Sequence, residues 1–293
     1  MRVCILGAGG MLGHMLVRVL GESHDVYGTS KQEWFATAGL ARFLEKKRWI
    51  GGVDAKEITT VEKCFAEHQF DAVVNCVGVV KQRVHRTTDD EMIEINARFP
   101  HKLSNICAAF GTRVIHISTD CVFSGNKGDY EETDTPDPVD IYGSSKLDGE
   151  IVDAHNLTIR TSHVGRELTN FTSLFEWILK NRGKQIAGYS NAIYSGLTTF
   201  SLSVVINSLL TTGSNINGLL HVASEPLSKH QLITELNDRL DLGIDIKIDE
   251  SVMINRSLRP SDQLKQCKIE IPSWNQMLDN FCKDQATYDF VVS

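Results

Sequence analysis

The chain has 293 residues, 42% of them hydrophobic and 23% charged, and a formal net charge of −7. At roughly 150 residues per domain this allows two domains or one large one, with enough apolar material for a real core. The composition excludes an intrinsically disordered chain, and no stretch approaches the ~18 apolar residues of a membrane span. The acidic balance argues against a nucleic-acid binder, which needs a basic face.

In chain order, residues 2–6 form an apolar strand bounded by Gly7. Met11, Leu12, Met15, Leu16, Val19 and Leu20 follow at helical spacing until Gly21 stops the helix. Residues 24–29 read as a second strand and 36–47 as a helix. Thr59 and Glu62 have capping-box spacing for a helix through His68. A third buried strand spans 71–77, then come a helix over Met92–Phe110, a strand over Arg113–Ser118, a helix from Tyr142 to Ala154 and a strand over Leu157–Arg160. Strands alternating with helices imply right-handed crossovers and an α/β fold whose doubly wound parallel sheet is covered on both faces.

After Arg160 the rhythm loosens. Helices are expected near 172–182, 199–211, 228–240 and 274–283, and strands near 185–188, 218–222 and 244–249. The division expected is a dinucleotide-binding domain over 1–163, joined by 193–222, and a smaller, mixed, discontinuous substrate domain over 164–293. The two parts pack directly and leave a ligand cleft between them.

Seven cysteines are an odd number, and no two form a C-x-x-C pair. This points to reduced thiols and a cytoplasmic setting, and away from a disulfide framework or a zinc knuckle. The N-terminus lacks the apolar h-region of a signal peptide. No H-E-x-x-H occurs, and no metal site is expected.

Gly7, Gly10 and Gly13 give a G-x-x-G-x-x-G spacing between the first strand and the first helix. Without side chains, the backbone at Gly7, Gly9, Gly10, Met11, Leu12 and Gly13 can approach a pyrophosphate, which the helix N-terminus favours. NAD sites usually carry a carboxylate at the end of the second strand for the ribose 2′-hydroxyl. Here the strand ends in Thr29, Ser30 and Lys31, a set suited to a 2′-phosphate, so NADP(H) is favoured and NAD(H) stays open. Asp54 and the strand end Asn75, Cys76, Val77 and Gly78 should flank the adenine and ribose; Asp54 is equally readable as a helix cap.

Tyr142 and Lys146 are spaced to share one helix face. A phenol there is a proton donor, and a nearby ammonium favours its ionised form. Tyr27 and Lys31 match the same spacing but sit at a strand end, where it does not align side chains. Thr119 ends the strand over Arg113–Ser118 and can lie beside Tyr142 at the carboxyl edge of the sheet.

Gly7–Gly13, the run Ser118-Thr119-Asp120-Cys121-Val122-Phe123-Ser124-Gly125, Tyr130-Glu131-Glu132, Asp134 and the block Tyr142–Glu150 resemble an extended short-chain dehydrogenase/reductase. Within that group they are most similar to the dTDP-4-dehydrorhamnose reductase family, and Arg259-Pro260 with Leu264 resembles its C-terminal motif. The resemblance runs with gaps from residue 1 to about 283. It implies a Rossmann-type fold and transfer of hydride from NADPH to the 4-keto carbon of a nucleotide-linked 6-deoxyhexulose, in deoxysugar synthesis for a polysaccharide. Tyr142 would protonate the alkoxide, Lys146 would hold the nicotinamide ribose and tune Tyr142, and Thr119 would hydrogen-bond the carbonyl oxygen. Substrate contacts are expected from Lys81, Thr119, Asp120, Cys121, Val122, Arg166, Asn170, Arg256 and Arg259. The partner implied is the nucleotide sugar, with no nucleic acid and no membrane, and the resemblance leaves room for a homodimer.

The chain departs from the pattern at 32–52, in the basic loop with Lys81, Arg83 and Arg86, and at His163 in place of an aromatic residue. These departures bear on the identity of the sugar and base. Dehydration is disfavoured because Cys121, not glutamate, follows Asp120. Two rivals stay open: an epimerase-reductase using Cys121 and His163, and a non-catalytic, NADP-binding regulatory subunit.

Overall fold

The computed structural model describes residues 1–32, 39–80, 87–212 and 215–291. The first half runs β1 (Arg2–Leu6), α1 (Met11–Leu20), β2 (Asp25–Thr29), β3 (Trp49–Ile50), α2 (Ile58–Glu67), β4 (Ala72–Asn75), α3 (Asp89–Ile93), α4 (Phe99–Ala109), β5 (Arg113–Ile117), α5 (Ile141–Asp148) and β6 (Leu157–Arg160). The second half runs β7 (His163–Val164), α6 (Leu174–Lys180), β8 (Gln185–Tyr189), β9 (Ala192–Tyr194), β10 (Leu197–Thr198), α7 (Thr199–Thr211), β11 (Gly218–His221) and β12 (Leu227–Ser228). It ends with α8 (Lys229–Leu240), β13 (Asp245–Asp249), β14 (Ile254–Asn255), α9 (Asp262–Gln266) and α10 (Trp274–Lys283).

Seven parallel strands form the main sheet in the order β11-β6-β5-β4-β1-β2-β3. Their side chains alternate between two cores. Val3 and Ile5 of β1 and Val74 of β4 face the side that carries α1 and α7, while Cys4, Leu6 and Val73 face α2 and α4. Burial on both faces is why these strands read as nearly continuous apolar runs. The winding direction reverses between β1 and β4, which opens a crevice at their carboxyl ends.

The second half adds β11 to the sheet edge and lays α7 against α1. Of its smaller sheets, β12-β9-β14 is mixed, and β13-β8 and β10-β7 are parallel. Phe175, Tyr194, Trp274, Met277 and Tyr288 belong to the same hydrophobic cluster as β1 and α1, so one core is continuous through both halves. At the far end of the chain, Tyr288 Oη meets His14 Nε2 at 2.8 Å, and Arg18 pairs with Asp284 at 2.6 Å.

Several expected elements differ. Of the helix expected over 36–47, residues 36–38 lie outside the described residues. The rest forms 3₁₀ turns at Leu40–Arg42 and Lys46–Arg48, followed by the short edge strand β3. Leu44 is buried and Phe43 half-buried against the core while Lys46 and Lys47 are exposed, and so little docked apolar surface does not sustain a helix. Thr59 does not cap α2, whose N-cap is Glu57; Thr60 instead donates to the Glu57 carbonyl at 2.7 Å.

The helix expected from Met92 begins at Asp89 under a Thr88 cap, and a π-helical turn at Glu94–Arg98 divides α3 from α4. That turn delivers Asn96, which accepts from the Val79 N–H at 2.8 Å and donates to Ser145 Oγ at 3.3 Å. A Cβ on Gly149 would lie 1.9 Å from the Asn96 carbonyl oxygen. α5 therefore stops at Asp148 rather than running to Ala154, because the chain must pass this point without a side chain.

Immediately after that stop, Glu150 and Arg160 form a two-pronged ion pair with both contacts at 2.8 Å, and each side chain is at most 5% exposed. Removing one member of such a pair strands a buried charge. Arg160→Ala is expected to destabilise the fold by about 3–5 kcal/mol in urea unfolding, and the apolar pair Arg160→Met with Glu150→Leu by much less. Equal losses in the two variants would contradict this.

Candidate active site

The β1–α1 turn is compressed. Gly7 has φ +78°, and a Cβ on Gly13 would lie 2.2 Å from the Gly7 carbonyl oxygen. The N-cap of α1 is Gly10, which offers no side-chain oxygen to the first helical N–H groups. These donors and the positive end of the helix dipole are thus left for an anion. Gly7, Gly9, Gly10, Met11, Leu12 and Gly13 all line a cleft of about 680 Å³. That volume falls within the range of cofactor sites.

Ser30, Lys31 and Asp54 line the same cleft, and Lys31 Nζ pairs with Asp54 at 2.8 Å. Burial pushes the Asp54 carboxyl up, but the bonds from Lys31 and the Lys56 N–H outweigh it and hold the group below the usual value. Thr29 is buried, and its carbonyl accepts from the Ala8 N–H at 3.0 Å, which positions the glycine turn. Cys76, Val77 and Gly78 line the wall beyond β4. Asn75 does not reach the wall: it is wholly buried, bonded to Val77 and His116.

Tyr142 and Lys146 lie on α5 and face the cleft. The Asp140 cap starts the helix, accepting from the Gly143 N–H at 2.8 Å. Lys146 is buried, its Nζ donating to the Ile117 carbonyl at 2.7 Å. Burial lowers the lysine to about 8 against the raising fields of Glu150 and Cys76. It therefore keeps its proton below about pH 8. Burial pushes the Tyr142 phenol up, aided by Cys121 and Asp120 and opposed by the Thr119 hydroxyl, so the phenol is a proton carrier at neutral pH. The direction is opposite to a phenol lowered by its lysine neighbour.

Thr119 is buried beside Tyr142; its hydroxyl donates to Asp120 at 3.2 Å and accepts from the Cys121 N–H at 3.1 Å. Burial raises the Asp120 carboxyl, with Arg256 the largest opposing influence. Of the other expected substrate contacts, Asn170 lines the cleft. Lys81 lies outside the described residues, as do Arg83 and Arg86. Val122 is fully buried in a small core with Phe123 and Tyr130. Arg166 is bound to Glu176 at 2.9 Å and to Gln285 at 2.8 Å, and Arg256 donates to the Phe123 carbonyl at 2.9 Å. Arg259 is exposed and pairs with Asp129 and Glu131. Residue type alone points to these arginines, whereas Glu176 engages Arg166 from ten residues on and Asp129 and Glu131 engage Arg259 from far off in sequence.

Two cleft residues carry polar functions beyond those expected for them. Ser118 donates to Glu150 at 2.7 Å, joining the cleft to the buried ion pair; its place next to Thr119 was the available signal. His163 lines the cleft with a buried, unpartnered Nδ1. Burial, with the field of Lys146, holds its ring at about 4, so it is neutral at physiological pH.

A family model described as RmlD substrate binding domain matches residues 1–284. The chain is 30% identical over 150 residues to methionine adenosyltransferase 2 subunit beta of Rattus norvegicus, covering 51% of this chain and 41% of that protein. It is 30% identical over 155 residues to dTDP-4-dehydrorhamnose reductase of Mycobacterium tuberculosis H37Rv, covering 51% and 44%. Each alignment thus spans less than half of the relative. The fold is similar to that of dTDP-4-dehydrorhamnose reductase from Bacillus anthracis in complex with NADP, with a TM-score of 0.78 and 24% identity over 97% of this chain and 99% of that one.

The close turn makes a clear prediction. Glycine to alanine inside a helix ordinarily stabilises by about 0.5–1 kcal/mol. Gly13→Ala is instead expected to lower Tm and to weaken a dinucleotide phosphate ligand at least about tenfold by calorimetry, because the helix must move off the turn. A gain in Tm with affinity retained would contradict the packing.

Proposed function

The chain belongs to the family of the RmlD substrate binding domain, and from that premise we propose that it is an NADPH-dependent reductase of the 4-keto group of a nucleotide-linked 6-deoxyhexulose. The observation that carries this reading is that one cleft holds both the anion-ready turn of Gly7–Gly13 and the Tyr142–Lys146 pair. The residues fit the cofactor: open helix N–H groups for the pyrophosphate, and Ser30 with Lys31 for a 2′-phosphate. When bound, NADPH supplies the hydride. The Lys31–Asp54 pair leaves NAD(H) admissible, because a carboxylate also stands ready for a hydroxyl.

The chain's own residues do the rest. Tyr142, kept protonated by burial, donates its proton to the carbonyl oxygen as negative charge develops there. Thr119, beside it, turns its hydroxyl from Asp120 to that oxygen. Lys146 fixes the ribose and places positive charge near the forming phenolate. The setting is deoxysugar synthesis in the cytoplasm, and pairing through the helices beside α5 would make a homodimer.

A second reading, a binding subunit of another enzyme, is favoured by the name of the rat relative. Retention of Tyr142, Lys146 and Thr119 in one neighbourhood favours the enzyme. Cys121 flanks Tyr142 and His163 flanks Lys146.

NADPH oxidation, followed near ~340 nm to read the hydride step, separates the two readings when dTDP- and UDP-linked 4-keto-6-deoxyhexoses are offered. The reductase reading expects turnover with at least one. Tyr142→Phe should cut kcat by about 10²–10⁴-fold with NADPH affinity unchanged. Tight NADPH binding without turnover of any keto sugar would favour the binding subunit.

A further inference from the structure

Beneath the cleft, Asn75 and His116 extend a buried chain of polar side chains away from Lys146. The Val77 N–H donates to Asn75 Oδ1 at 3.1 Å. A backbone N–H can only donate, so this contact fixes which end of the Asn75 amide is oxygen. The amide NH₂ then faces His116 Nδ1 at 3.1 Å. Nδ1 must accept, and the single proton of a neutral imidazole must sit on Nε2. Asn75 and His116 are both wholly buried, and burial together with the fields of Lys146 and His101 keeps His116 neutral. The far ring nitrogen, Nε2, lies 3.5 Å from Lys146 Nζ.

The tautomer matters. An N–H aimed at an ammonium is repelled by it, whereas an N–H aimed at an amine lone pair is a hydrogen bond. The Asn75–His116 pair therefore favours the amine form of Lys146, in the same direction as burial. We propose that Asn75 and His116 are positioning residues for Lys146: Asn75 locks His116 as the Nε2–H tautomer, and that N–H readies the lysine to pass a proton toward Tyr142.

This inference rests on the reductase reading for its purpose, but its geometry stands apart from it. After Tyr142 has protonated the substrate oxygen it is a phenolate. An N–H bond of Lys146 breaks, the O–H bond of Tyr142 re-forms, and the amine so produced accepts from His116 Nε2–H. Water then restores the lysine proton. The groups that face Lys146 are His116 from β5, Cys76 beyond β4, His163 from β7 and Glu150 beyond α5, and Tyr142 stands one turn earlier on α5. Glu150 and Cys76 oppose deprotonation, and burial supports it.

The test is ¹⁵N NMR of the imidazoles and ¹³Cε NMR of the lysines in the unliganded full chain, with His116→Gln and Lys146→Arg used to assign the signals. The proposal expects His116 to read as the Nε2–H tautomer throughout the range from about pH 5 to pH 9, without titrating. It expects Lys146 to titrate near 8. Asn75→Asp places an acceptor opposite Nδ1, so His116 should switch to the Nδ1–H tautomer and Lys146 should titrate about one pH unit higher or more. An Nδ1–H tautomer in the unaltered protein overturns the proposal without recourse to any variant. So does a Lys146 midpoint that stays put in Asn75→Asp after the tautomer has switched. Neither readout depends on turnover, so failure of the relay and failure of the reductase reading are told apart.

Discussion

The approach of α1 to the end of β1 is the constraint from which the rest follows. No side chain fits between Gly13 and the Gly7 carbonyl, so the helix begins almost on top of the strand. That placement aims unpaired N–H groups at the crevice where the sheet reverses. It also fixes His14, one turn into the helix, whose Nδ1 meets the Gly10 carbonyl at 2.9 Å and whose Nε2 meets Tyr288 Oη. Burial holds this histidine at about 4, so it bonds as a neutral ring rather than as a charge. The glycine turn is thereby tied to Tyr288, near the end of the described residues.

The opposite end of the cleft is governed by buried polarity. Lys146, Glu150, Arg160 and Ser118 lie where water is scarce, and each has a specific partner. Burial acts in opposite directions on the two reactive groups: it makes Tyr142 hold its proton harder and Lys146 hold it less. A phenol that arrives protonated suits the donor role in reduction, and a lysine drawn toward neutrality suits replenishment. The π-helical turn at Glu94–Arg98 serves this end of the cleft too, since Asn96 braces both α5 and the segment after β4.

The sheet was legible because its signal is redundant. Strands with both faces buried are apolar at every position, and the helices between them carry one apolar face. The tight turn was legible because its glycines answer a steric demand. Elements two or three residues long, such as β3, β7 and β10, carry no period and were missed. The helix expected over 36–47 failed because several apolar residues fell at helical spacing but, among those described, only Leu44 docks fully. At the site, Tyr142 and Lys146 were placed by helical spacing, which is local. Arg166 is expected there from its residue type, and Asn75 from its place at a strand end. What occupies them, Glu176 and Gln285 for one and His116 for the other, is set by tertiary packing that spacing does not encode.

The central claim is that this cleft moves a hydride to a sugar carbonyl. The most direct measurement offers [4-²H]NADPH, in each of its two stereoisomers, with a dTDP-linked 4-keto-6-deoxyhexose and locates the label by NMR of the product. The account predicts deuterium on C4 of the sugar from one stereoisomer only, because the cofactor presents one face to the substrate. Label retained on the nicotinamide with the keto sugar unchanged, across both the dTDP- and UDP-linked forms, would contradict it.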